Sequence, residues 1–184
     1  STFSGYLNGD TLATSVSNPT GLTVSIAGPT STAGYYTAGD HALTVSGATS
    51  NLGYGFNYLA SNLTVNKRGL TIVATPASKV YDSLTAATTQ LTSNKFDADL
   101  VDIASTSSVF ADKNVGTGKT VTVSGLSLSS GADAGNYYIT NAGGVATSNT
   151  GVITARTITG VYTAQNKMYD GTTTATVNGT STGI

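Results

Sequence analysis

The chain has 184 residues, a formal net charge of −1, one histidine and no cysteine. Without cysteine there are no disulfides, thiolate metal sites or cysteine nucleophiles, and charge this sparse leaves no basic patch for nucleic acid. Every acidic residue is an aspartate, and serine and threonine supply about 30% of the chain, well above ordinary usage. With few Ala-Leu-Glu-Lys blocks, this composition predicts strands and turns without a long helix. No apolar run reaches membrane-spanning length, so membrane insertion is not expected. No signal peptide opens the chain, and export would rely on a signal outside these residues.

In chain order, Asn8-Gly9 is a tight-turn signal. His41 opens an alternating strand beside Asp40, and Tyr54, Phe56 and Tyr58 alternate as strand residues do. Leu70, Ile72 and Ala74 alternate with Thr71, Val73 and Thr75. In "TVTVSGLSLSS" the apolar phase moves from odd (Val121, Val123) to even (Leu126, Leu128), with Gly125 at the shift, which predicts a bulge or bend. "GADAGNYY" predicts a short helical turn, Tyr137 and Ile139 a strand, and Asp170-Gly171 and Asn178-Gly179 two further turns.

Internal similarity organises these elements. "RGLTIVATPASKVYDSLTAAT" from Arg68 aligns without a gap with "RTITGVYTAQNKMYDGTTTAT" from Arg156, an offset of 88 residues. "GDHALTVSG" (Gly39 to Gly47) echoes "GKTVTVSG" (Gly118 to Gly125), and "NLTVNKR" (from Asn62) echoes "TGVITAR" (from Thr150). The expected layout is an elongated, mainly β array of sandwich-like tandem repeats. Residues 1–67 form the later part of one repeat, 68–156 a complete one, and 157–184 the start of another. No Pro-rich or charged linker lies between Asn62 and Leu70, which favours stiff stacking over flexible beads.

"KVYDS" and "KMYDG", with "ADKNVGTGKTVTVSGLSLSSGADAGNYYIT" downstream, resemble the YDG repeat of large bacterial surface proteins. Residues 5–67, with "GYLNGDTLAT" and "NYLASNLTVNKR", resemble the companion MBG repeat. Ser83 departs from the family's glycine, and a different turn geometry is expected there. The resemblance implies a stalk or spacer module of filamentous-haemagglutinin-like adhesins, exported to the surface of Gram-negative bacteria, with no catalytic residues to carry over.

Motifs with chemical content are weaker. "GTGKT" has the heart of a phosphate-binding loop, but Lys113 stands where G-x-x-x-x-G-K-[ST] needs its first glycine, and a β pattern follows where a helix is required. A glycine-rich turn feeding a strand is the better reading. His41 would have to serve any Ser-His-Asp triad, no G-x-S-x-G elbow accompanies it, and an exposed or edge-strand histidine is expected. One histidine and no cysteine cannot make a zinc site. Asp97, Asp99 and Asp102 are the calcium candidates, but the spacing is not that of a calcium loop and no glutamate closes it, so a solvated loop is favoured. Asp82 and Asp170 read as Asx-turn acceptors, and Tyr81 and Tyr169 as packing residues. Thr-x-Thr pairs are too few for an ice-binding array. A Lys–Asn crosslink would need a lysine buried beside an acidic catalyst.

The expected function is mechanical and non-catalytic, without cofactors, nucleic-acid partners or a metal. Partners would be neighbouring repeats, with a host or matrix ligand reached through other domains. Two alternatives remain: recognition of glycan or matrix by the repeat itself, and head-to-tail self-association in which 157–184 completes the 1–67 half-repeat of a neighbouring copy.

Overall fold

The computed structural model describes residues 2–182 and is mainly β, with no helix longer than four residues among them. Contacts divide the chain into two compact units. The first holds residues 1–72, 92–105 and 125–144, and the second holds 73–91, 106–124 and 145–184.

In the first unit, Asn8 and Gly9 both take positive φ and the Asp10 N–H closes on the Leu7 carbonyl, the turn predicted there. A single helical turn, α1 (Leu12–Ser15), follows, its entry fixed by the Thr11 N–H donating to Thr14 Oγ1. Strands β1 (Thr23–Ala27), β2 (Gly39–Ser46) and β3 (Ser61–Val65) make an antiparallel sheet in the order β1-β2-β3. β4 (Arg68–Leu70) belongs to the first unit and β6 (Lys79–Val80) to the second, while β5 (Ile72–Pro76) and β7 (Thr89–Ser93) run across the crossings after residues 72 and 91. β5 pairs with β7.

Beyond these come β8 (Asp102–Ala104), β9 (Ser107–Phe110), β10 (Gly116–Ser124), β11 (Ser127–Ser130), β12 (Tyr137–Ile139) and β13 (Ala146–Thr154). In the first unit β8 pairs with β11, and β4 lies parallel to β12. In the second the order is β6-β13-β10-β9. Each unit has its own small core. Leu70, Val101 and Tyr137 pack together in the first, and Phe110, Val121 and Ile153 in the second, with Tyr81 and Ala87 against them. The predicted phase is the observed one: Leu70, Ile72 and Ala74 are buried while Val73 is exposed. Gly125, at φ +65, ends β10, and the following apolar residues enter a different sheet through β11. "GADAGNYY" contains the short 3-10 turn Ala134–Asn136.

Three expectations about the strands and turns fail. His41 is neither exposed nor on an edge: it is 1% exposed on the central strand β2. Its ring stacks near Tyr36 and its Nε2 lies 2.7 Å from the Thr37 carbonyl, so an intermediate-polarity side chain fills a core position. Tyr54, Phe56 and Tyr58 form no strand. Tyr54 Oη donates to Asp10 and accepts from the Leu7 N–H, and Tyr58 Oη accepts from the Ala48 N–H, so side chains pin an irregular segment that no ladder holds. Asn178-Gly179 is not a turn but lies within β15 (Val177–Thr182), which pairs with β14 (Thr159–Ala164). Tyr162 sits opposite Gly179 and covers it, its ring 2.9 Å from where a Cβ would stand. That aromatic cover supplies the cross-strand contact that glycine lacks.

Gly151 is set by packing. A Cβ there would stand 2.7 Å from Phe110 Cε1 and 2.8 Å from the Lys119 carbonyl oxygen. Gly151→Ala is expected to destabilise the fold by about 1–3 kcal/mol. Gly135→Ala, with open space around the glycine, should stay within about 0.5 kcal/mol. Urea denaturation of the two variants measures the contrast.

Candidate functional site

The most developed polar constellation lies in the first unit, around two buried carboxylates. Asp99 and Asp133 are each 3% exposed. Asp99 sits in the turn after Phe96, closed by its own N–H on the Phe96 carbonyl, and Asp133 directly precedes the 3-10 turn. The Tyr137 hydroxyl donates to Asp99 Oδ2 at 2.5 Å and accepts from the Phe96 N–H at 3.2 Å. Asp133 Oδ2 accepts the Leu100 N–H at 2.9 Å. The other oxygens face the loop 30–38: Asp133 Oδ1 accepts the Thr32 N–H and Asp99 Oδ1 the Ala33 N–H, both at 3.1 Å. Asn136 Oδ1 accepts the Ala38 N–H at 2.8 Å.

Aromatic contacts flank this latch. Tyr35 lies on Phe96 with ring centroids 4.8 Å apart, and the Arg68 guanidinium covers Phe96 at 4.3 Å. Lys95 Nζ donates to the carbonyls of Phe96, Asp97 and Asp99, adding positive charge beside the carboxylates. Burial pushes the Tyr137 phenol up, and the bond to Asp99 pushes it further. The Leu100 N–H, against the cost of desolvation, holds the Asp133 carboxyl below its usual value. The carboxylate oxygens are taken up by backbone N–H groups and by the Tyr137 hydroxyl.

The calcium candidates do not converge. Asp97 is exposed, Asp102 accepts from Ser130 Oγ, and Asp99 faces Tyr137 and the loop. Among the described residues no three His, Cys, Asp or Glu are grouped to hold a metal ion. The solvated-loop expectation is wrong for Asp99, because Tyr137 and the Ala33 N–H replace its water. Asp133, Asn136 and the first-unit loop escaped the sequence reading: their partners lie 66 to 101 positions away, and no local pattern marks them.

A second motif recurs in the second unit. Asp82 Oδ1 accepts both the Leu84 N–H at 2.9 Å and Lys79 Nζ at 2.7 Å, the expected Asx turn with an ion pair added. Lys79 also donates to the Leu84 and Ala86 carbonyls. Lys167, Asp170 and Thr172 repeat this geometry. Ser83 does not use a different turn: its φ of +67 matches the +69 of Gly171, and the lysine bridge holds the left-handed residue in place. Tyr81 packs against the core as expected, but Tyr169 is 99% exposed, with no such core beside it among the described residues. Lys119 of "GTGKT" lies in β10 and pairs with Asp112, so neither the loop nor the free lysine of a phosphate site is present. An open depression of about 570 Å³ is lined by Tyr81, Asp82, Val115, Ala155, Arg156 and Ile158.

Three measurements test this chemistry. Tyr137→Phe strands Asp99 Oδ2 and the Phe96 N–H, with an expected cost of about 1–3 kcal/mol in urea denaturation. Ser83→Gly removes left-handed strain against a smaller entropic loss, and stability should rise by up to about 1 kcal/mol; a fall would refute the strain argument. Asp82, Asp112 and Asp170, paired with Lys79, Lys119 and Lys167, and Asp133, on the Leu100 N–H, all lie below the ordinary value of 3.8. A depressed folded pKa gives stability that is full above 3.8 and is lost as pH falls through the lower folded value. The urea midpoint should therefore hold steady from about pH 7 to 5 and drop below about pH 4.

No curated protein and no solved structure matches the chain. Residues 66–148, which contain the carboxylates, Tyr137 and the first lysine-bridged turn, match the YDG domain family.

Proposed function

We propose that this chain is a non-catalytic structural module, a piece of a tandem array that carries load in a surface protein. The observation that carries the reading is the latch. Loop 30–38 of the first sequence repeat gives its backbone N–H groups to Asp99, Asp133 and Asn136 of the second, inside one compact unit. Two successive repeats joined this way resist separation, as a spacer requires, and the repeat boundaries 1–67, 68–156 and 157–184 belong to the same proposal. The YDG match, the absence of cysteine and the family resemblance support a bacterial extracellular stalk holding an adhesive element away from the cell. The test is single-molecule extension of the chain. The native protein should yield with no early, low-force release of residues 1–67, and Asp133→Ala should introduce one. Early release in the native chain would defeat the reading.

A second reading has one observation in its favour. The depression beside Tyr81, Asp82 and Arg156 offers an aromatic edge and paired charges suited to a sugar. A glycan array decides it: saturable binding lost on Arg156→Ala would move the function from support to recognition.

A further inference from the structure

The repeat 68–156 begins and ends on strands that lie side by side and run the same way. β4 is parallel to β12, with Arg68, Gly69 and Leu70 opposite Tyr137, Tyr138 and Ile139. β6 is parallel to β13, with Lys79 and Val80 opposite Ile153 and Thr154. One such joint lies in each unit. A parallel pair cannot be closed by a tight hairpin, and here the bonded residues stand 69 to 75 positions apart. The way into the repeat and the way out of it are thus joined directly, bypassing residues 82–136.

Both joints are reinforced beyond their ladders. In the first unit the Thr140 N–H donates to the Leu70 carbonyl at 2.9 Å, and Thr140 Oγ1 donates to the same oxygen at 3.1 Å. Asn141 then stands in for a further ladder residue. Its Oδ1 accepts the Ile72 N–H at 2.8 Å and its Nδ2 donates to the Ile72 carbonyl at 2.9 Å. In the second unit the Tyr81 N–H donates to the Thr154 carbonyl at 2.8 Å, and Thr154 Oγ1 to the Lys79 carbonyl at 3.3 Å. Apolar side chains cover both joints. Leu70, Ile72 and Tyr137 are buried at the first, and Ile153 at the second, where Tyr81 packs on its cluster. Water competes poorly for bonds covered in this way.

We infer that these two parallel joints form a mechanical clamp, placed so that tension along the array loads them in shear. Neighbouring repeats pull Lys67 toward the N-terminus and Ala155 toward the C-terminus. On parallel partners those pulls are opposed along the strand axes. A joint then slides as a whole or not at all, and its bonds must fail together. A pair pulled apart from one end instead yields one bond at a time, and a single bond is worth little. Forced unfolding follows the unfolding rate, and a barrier that needs several bonds broken at once lowers that rate. The inference rests on the load-carrying reading for the direction of the pull, whereas the clamp itself belongs to the topology of the repeat.

The test pulls the full chain, which has no native cysteine, through pairs of cysteines engineered at exposed positions. Lys67→Cys with Ala155→Cys applies tension at opposite ends of the parallel joints. Leu84→Cys with Ala155→Cys applies it at one end of the β6–β13 pair and opens that pair bond by bond. The force of the first rupture should be several-fold higher in the first geometry. Asn141→Ala should lower it there and leave the second geometry unchanged. Similar forces in the two geometries overturn the inference, and that comparison needs no change at the joints themselves. An Asn141→Ala chain weakened alike in both geometries overturns it too. Both attachments leave residues 1–66 outside the pulled path. Early release of that segment, which defeats the load-carrying reading, therefore does not enter this comparison.

Discussion

A backbone N–H drawn even partly out of water needs an acceptor, and in the first unit the Thr32 and Ala33 N–H groups find theirs on buried aspartates far away in sequence. The requirement runs both ways. A carboxylate as buried as Asp99 is tolerated only when its oxygens are hydrogen-bonded, and Tyr137 and the Ala33 N–H give one donor to each. The loop N–H groups thus offset the cost of burying the carboxylates. The same Tyr137 packs on Leu70 and Val101, so the polar latch and the apolar core share a residue.

This economy suits a chain with little to bury. Each unit's core is a cluster of a few side chains, and much of the order elsewhere comes from polar side chains acting on backbone. Lys79 bridges two carbonyls and a carboxylate, Asn141 Oδ1 accepts the Ile72 N–H while its Nδ2 donates to the Ile72 carbonyl, and Tyr54 and Tyr58 tie down a segment without a ladder. Such bonds are worth little singly and much when one is left half-made.

What the sequence revealed was local. The alternation at Leu70, Ile72 and Ala74 and the break at Gly125 follow from the two-residue period of a strand, which any reader can count. Asp82 and Asp170 were legible because an Asx turn closes two residues on. His41 was misread because its burial depends on being central in a sheet whose order no local window contains. Asn178-Gly179 was misread because a turn signal yields when a tyrosine across the ribbon covers the glycine. The latch was invisible for the same reason: the loop N–H groups that Asp99, Asp133 and Asn136 accept lie 66 or more positions away.

The interleaving of the two units has its own consequence. The chain passes between them after residues 72, 91, 105, 124 and 144, five times in all. A protease that cuts any one of these crossings divides the chain into two fragments, but both fragments contribute segments to at least one unit, so the packing inside that unit still holds them to each other.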